Sequence, residues 1–172
     1  TYNKSNGGLL NFANGNDDYV SLGTNPVGID QVQVPITICA WVKSYSLGPY
    51  DPIWAADKNT GSSGLYSMIR VDGGRVMYYT TTSSGGYQSS VGANITTNIW
   101  YFIVVTVSGS ISSPTVTYYI NGNRVSQFNY SALSSSPMPN VEFRIGANER
   151  TPSERWHGDI PVVLWYNRAL SA

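Results

Sequence analysis

The chain reads as an all-β protein, a two-sheet antiparallel β-sandwich of the jelly-roll kind, and three observations lead there. Short runs rich in β-branched and aromatic residues recur along the 172 residues, separated by clusters of Gly, Asn, Asp, Ser and Pro. Two of these separators, Asn121-Gly122 and Asp72-Gly73-Gly74, have hairpin chemistry, because Asn and Gly tolerate the positive φ of a tight turn. No stretch carries the apolar periodicity of a three-turn amphipathic helix.

Residues 9–12 form a first short strand, and the polar run 13–18 (ANGNDD) turns the chain into a second over 19–22. Residues 23–34 carry Pro26, Gly28 and Asp30 and read as a loop. The next strand, 36–43, alternates: Ile36, Ile38, Ala40 and Val42 share one face, and Thr37, Cys39, Trp41 and Lys43 the other. Apolar members on both faces suit a strand inside a two-layer structure, and Trp41 and Trp100 read as core. A loop over 44–51 precedes a short strand at 53–56, and 57–64 turn again. Strands 65–71 and 75–81 flank the Asp-Gly-Gly turn, and 83–88 read as flexible and exposed. The centre of the chain is the run 101–107 followed by 116–120, Asn121-Gly122 and a return strand opening at Arg124-Val125. A Ser/Pro-rich connection leads to 142–146, a loop to Trp156, and a last strand over 160–166.

Length and charge narrow the function. One domain over 1–172 is large enough to bury roughly 70% of its unfolded surface without disulfides. Cys39, the sole cysteine, lies in a strand pattern and reads as an inert buried thiol. Formal charge balances to zero, so there is no basic footprint for nucleic acid. No apolar run approaches the roughly 20 residues of a membrane-spanning helix, and no membrane insertion is expected.

Catalytic sets are missing from the pattern. Glu142 is the only glutamate within a predicted strand, and Arg144 two positions on would pair with it rather than let it share a proton. His157, the one histidine, sits between Trp156 and Gly158 and reads as a partly buried neutral ring rather than a triad base. One Cys and one His cannot make a zinc set. The Gly-rich pieces do not link a strand to a helix, so they are turns and not phosphate loops. We therefore expect no enzyme.

Sugar chemistry is better provided for. Proteins hold sugars by stacking their apolar faces on aromatic rings and by planar hydrogen bonds from Asn, Gln, Asp, Glu and Arg. Four predicted loops offer both: Tyr45, Tyr50, Asp51 and Trp54; Asp57, Lys58 and Asn59; Tyr87 and Gln88; and Asn148, Glu149, Arg150, Arg155 and Trp156. Against each stands the simpler reading in which Trp54 and Trp156 cap the core. Calcium prefers six to eight oxygen ligands, and Asn14, Asn16, Asp17, Asp18 and Asp159 supply hard oxygens if the first and last strands lie together. The same residues are ordinary turn formers.

With the strands placed, six phrases in order resemble the laminin-G-like branch of the concanavalin A-like lectin/glucanase superfamily. They are LNFANGNDDYVSLG (10–23), ITICAWVKS (36–44), PIWAADK (52–58), the pair WYFIVVTVSG and VTYYINGNRV, FRIGAN (143–148) and GDIPVVLWYNRALSA (158–172). The resemblance implies the sandwich fold, with calcium often bound at its edge. It implies no ligand by itself, since the fold carries lectins, accessory carbohydrate-binding modules, adhesion domains and enzymes. The glucan-cutting members resemble each other in a Glu-x-Asp-x-x-Glu strand, which sets two carboxylates about 5 Å apart; nothing here matches it.

The closing segment departs from the pattern. Gly158-Asp159-Ile160-Pro161 replaces the usual Gly-x-Ile-Asp, and Pro161, with no amide donor, belongs at an edge or a bulge. Val162 and Leu164 stand where relatives are often charged, so a covering partner is expected on that strand, another subunit or a neighbouring part of a larger parent. The chain stops at Leu170-Ser171-Ala172, where relatives continue, which fits a fragment. Two readings follow. The first is a non-catalytic glycan-binding domain. The other is a structural or adhesive domain of an extracellular, cell-surface or virion-surface assembly, contacting protein.

Overall fold

The computed structural model describes residues 2–3, 9–12, 18–24, 34–57, 65–134, 141–148 and 154–171. Among these the regular elements are strands: β1 Tyr2–Asn3, β2 Leu9–Leu10, β3 Val20–Thr24, β4 Ile36–Ser44, β5 Asp51–Asp57, β6 Leu65–Asp72, β7 Arg75–Thr81, β8 Tyr87–Asn94, β9 Trp100–Ser110, β10 Ser113–Ile120, β11 Asn123–Asn129, β12 Glu142–Ile145 and β13 Gly158–Tyr166. A five-stranded sheet runs β11-β10-β9-β4-β13, and a six-stranded sheet runs β3-β12-β5-β6-β7-β8. Neighbouring strands are antiparallel throughout. The expected sandwich is thus the observed one.

Alternation builds the core between the sheets. Ile36, Ile38, Ala40 and Val42 of β4 face Val71, Val76 and Tyr78 of the other layer within one buried cluster. Each such aliphatic side chain contributes roughly 1.5–3 kcal/mol by leaving water. Tyr118 of β10 ties the layers together. Its hydroxyl accepts the Tyr78 amide at 2.9 Å and donates to the Ser90 carbonyl at 2.8 Å. Tyr130 donates to the Tyr78 carbonyl at 2.9 Å. Burial pushes the Tyr118 hydroxyl pKa upward, so it stays protonated and keeps donating. Gly92 makes room for this ring, since a Cβ there would meet the Tyr118 ring at 2.0 Å.

The turns behave as their residues require. Asn121 and Gly122 both take positive φ (51° and 83°) between β10 and β11, and Gly73 and Gly74 do so between β6 and β7. Pro161 sits on edge strand β13 at a bulge, where the register shifts between Asp159 and Val162. Asn11 bridges Asp159, which brings the first and last strands together.

Several expectations are corrected. Tyr87 and Gln88, expected at the end of a flexible, exposed stretch, open β8, because pairing with β7 overrides a Ser/Gly-rich composition of low strand preference. Trp41 is not core but 42% exposed, on the outer face of its sheet. Trp54 lies in the expected strand at 53–56, yet its ring is not offered to a ligand. The register shift between Pro52 and Trp54 turns its ring inward to 1% exposure, edge-on to Phe143. Trp156 is likewise buried, its amide bonded to the Gly146 carbonyl at 2.9 Å. Both tryptophans therefore cap the core and present no ring to a ligand. Cys39 is buried, as its pattern implies.

Candidate functional site

The outer face of the six-stranded sheet gathers aromatic rings and planar polar groups. Register sets Ser21, Arg144, Ala55, Met68 and Tyr79 side by side across five strands. The adjacent row is Pro52, Arg70, Met77 and Val91. Ala55 and Met68, with Tyr79 packed against them, form a small apolar cluster separate from the main core. Ala55 and Met68 are 0% and 3% exposed, so this cluster lies covered between two arginines.

Each arginine is held flat by aromatic rings. Arg70, 9% exposed, lies between Tyr50 and Tyr79, with its guanidinium carbon 4.4 and 3.9 Å from the ring centroids. Tyr50 reaches that position with φ of 65°, a left-handed conformation that is costly for a tyrosine and is retained by its packing. On the other side the Tyr19 ring lies 4.6 Å from the Arg144 guanidinium and 5.6 Å from that of Arg155.

Acidic and amide groups complete the face. Arg144 donates to both Glu142 oxygens, from Nε at 2.9 Å and Nη2 at 2.7 Å, and from Nη1 to the Asn148 carbonyl at 3.1 Å. This hydrogen bonding holds the Glu142 carboxyl below its ordinary pKa. The pairing is the one the Glu-x-Arg spacing implies. Asn148 donates its side-chain amide to Glu154, and Arg155 donates to the Glu154 carbonyl at 2.9 Å. Asp51, at the start of β5, accepts the Gly48 amide at 3.0 Å and so pins the loop that carries Tyr50. Burial raises its pKa to about 7.

Of the loop residues expected to bind ligand, this face brings together Tyr50, Asn148 and Arg155. Asp57 is buried at the end of β5, opposite Glu142. Tyr87 lies in β8, and Gln88 bonds the backbone of Ser131 in both directions, bracing a loop. Lys58, Asn59, Glu149, Arg150 and Asp17 lie outside the described residues. Sequence reasoning missed Tyr19, Arg70, Tyr79 and Arg144 as site residues. Their signal was the alternation Met68/Arg70 and Met77/Tyr79 opposite the apolar Ile69/Val71 and Val76/Tyr78.

Tyr45 belongs elsewhere, at the edge of the five-stranded sheet. There Asp159 accepts from Tyr45 Oη at 2.7 Å, Asn11 Nδ2 at 2.7 Å and Lys43 Nζ at 2.9 Å. Burial pushes the Asp159 pKa up, but these donors outweigh it and the net shift is downward. The Lys43 ammonium thus occupies a place a cation would take at Asp159. Among the described residues no three His, Cys, Asp or Glu side chains gather as a metal set.

The molecule is a two-layer antiparallel sandwich with arginines and tyrosines stacked on the outer face of one sheet. A model of the laminin G type, described as the concanavalin A-like lectin/glucanases superfamily, matches residues 14–172, and the chain belongs to that family. A search of curated proteins finds no match. Among solved structures, the CBM40 domain of the Ruminococcus gnavus IT-sialidase, bound to α2,3-sialyllactose, is similar at a TM-score of 0.78 and 12% identity, over 95% of this chain and 91% of that one. The binding domain of Paraclostridial Mosquitocidal Protein 1 gives 0.64 at 16% identity, over 92% and 40%. A heptameric SAP-like pentraxin from Limulus polyphemus gives 0.62 at 14%, over 95% and 76%. At these identities the likeness establishes the fold.

Proposed function

We infer that the chain is a non-catalytic carbohydrate-binding domain and that its site is the outer face of the six-stranded sheet. The observation that carries this reading is the pair of ring-supported arginines, Arg70 and Arg144, on either side of the small Ala55–Met68 cluster. Stacking lowers the entropy cost of ordering a guanidinium, and the planar Arg70 group suits vicinal hydroxyls or a carboxylate on a sugar, while Arg144, held by Glu142 and Asn148, sets the other rim of the face. Asp72, whose carboxylate lies 3.8 Å from Arg70, together with Glu142 and Glu154 beside Arg144 and Asn148, would supply acceptors for sugar hydroxyls. Half-exposed Tyr50 offers a ring for the apolar face of a pyranose. The sialyllactose bound by the Ruminococcus gnavus domain supports a glycan ligand and makes sialyllactose a sensible first probe. Such a module suits an extracellular, cell-surface or virion-surface setting.

A glycan array probed with the multivalently displayed domain tests the reading, since one shallow site is weak alone. A coherent family of hits is expected, abolished in Arg70→Met and Tyr50→Ala and retained in Tyr87→Ala, with all three variants folded. Hits that survive both changes would move the site elsewhere. An array without hits would remove the glycan reading.

A further inference from the structure

We propose that the outer face of the five-stranded sheet pairs with the same face of a second copy of the chain. Register lines up Val162, Trp41 and Phe102 in one row and Leu164, Cys39, Val104 and Tyr119 in the next. A hydroxyl row of Tyr166, Thr37, Thr106 and Thr117 follows. The one charge in these three rows is Arg124, which stands opposite Tyr119 on the edge strand β11. Trp41, Val162 and Leu164 are 42%, 40% and 43% exposed, and the Trp41 and Phe102 rings lie 5.4 Å apart. Scattered exposed hydrophobics are ordinary, but a contiguous patch across three strands is what monomers avoid. Beside the Trp41 row lies a recess of about 300 Å³, lined by Cys39, Phe102, Val104, Tyr119, Leu164 and Leu170. The chain after β13 reaches this recess because the Leu170 amide donates to Thr37 Oγ1 at 2.9 Å.

A small apolar ligand would account for the recess but not for the protruding Trp41, Val162 and Leu164. A second copy accounts for both. A two-fold axis in the plane of the face, across the strands and between the Trp41 and Cys39 rows, sets each copy's Trp41 opposite the other's recess. The contact is self-complementary, as an isologous interface must be, and is an aligned packing of two sheets. Electrostatics permit it. Lys43 at one end of the face is neutralised by Asp159, Arg124 lies out on the β11 edge, and the formal charge of the chain is zero, so the centre of the contact carries no charge. Five strands about 4.8 Å apart, each offering roughly 20 Å of length, give about 500 Å² per copy. The total of about 1,000 Å² is at the lower limit of specific interfaces. The pair is therefore reversible, and the opposite, arginine-bearing sheet is left free.

Sedimentation velocity over a concentration series tests this on the natural chain and on Leu164→Glu and Val162→Glu. The natural chain should shift from monomer to dimer, undiminished in molar salt because no ion pair holds the contact. Each glutamate variant should weaken the dimer at least about tenfold while keeping the natural circular dichroism and melting temperature. Cys39, the sole cysteine, provides a second reading. Its alkylation rate should fall as the natural chain is concentrated and stay constant in Leu164→Glu. A natural chain that remains monomeric at high micromolar concentration overturns the proposal. So does a dimer indifferent to both substitutions, or a monomer whose Cys39 is shielded by a neutral alkyl glucoside, which would assign the recess to a small ligand.

Discussion

Replacing Asp51 by Asn should change how stability depends on pH more than it changes stability itself. Asp51 is buried, and burial raises its pKa from 3.8 to about 7. Its folded-state pKa therefore lies above its unfolded one. Between the two values the folded chain holds a proton that the unfolded chain has released, so stability falls as pH rises across that window. The slope is about 1.4 kcal/mol per pH unit. From pH 5 to pH 8 the natural chain should lose roughly 2.5 kcal/mol on this account, nearly all of it below pH 7.5. Asn cannot titrate, yet its Oδ1 can still accept the Gly48 amide. The difference between the two proteins is what matters, because every other titrating group is common to both. Chemical denaturation at four pH values between 5 and 8 measures it. Asp51→Asn should gain on the natural chain by roughly 2.5 kcal/mol across the series, or about 5–10 °C in melting temperature for a domain of this size. Parallel stability curves for the two proteins would refute the assignment of a raised pKa to Asp51.

Other consequences are as direct. Tyr118→Phe leaves the buried Tyr78 amide and Ser90 carbonyl without the hydroxyl they share, and denaturation should show a loss of about 1–3 kcal/mol. Gly92→Ala puts a methyl into the Tyr118 ring and should cost at least as much; combining it with Tyr118→Leu should recover part of the loss, and an additive double variant would contradict that contact. Lys43→Met removes the cation at Asp159, so calcium should raise the melting temperature of the variant more than that of the natural chain; an equal response would show that the edge carboxylate is not a cation site.

Parts of this structure were readable from local chemistry alone. Asn121-Gly122 admits few conformations other than the tight turn it makes. Pro161 could stand only at an edge or a bulge, and it stands at both. Glu142 and Arg144, two apart on a strand, share a face and pair. What could not be read is which of a strand's two faces meets the other sheet and where a bulge exchanges them. The alternation of Trp41 with Val42 was plain, but both faces of β4 carry apolar residues, and only the Ile36–Val42 side is covered. At Trp54 the irregular pairing after Pro52 turned inward a ring expected to reach a ligand. The same lack of register concealed the arginine face, because Tyr50, Arg70 and Tyr79 come from three separate stretches. These two surprises bear on function together. The sheet that buries Trp54 offers arginine and tyrosine outward, whereas the sheet that exposes Trp41 offers an apolar surface whose charges, Lys43 and Arg124, lie at its margins. A glycan needs the first kind of surface and a second copy of the chain needs the other. Opposite faces of one sandwich can thus hold ligand and partner without competing, and a dimer built through the apolar face would present two glycan sites on its two outer sides.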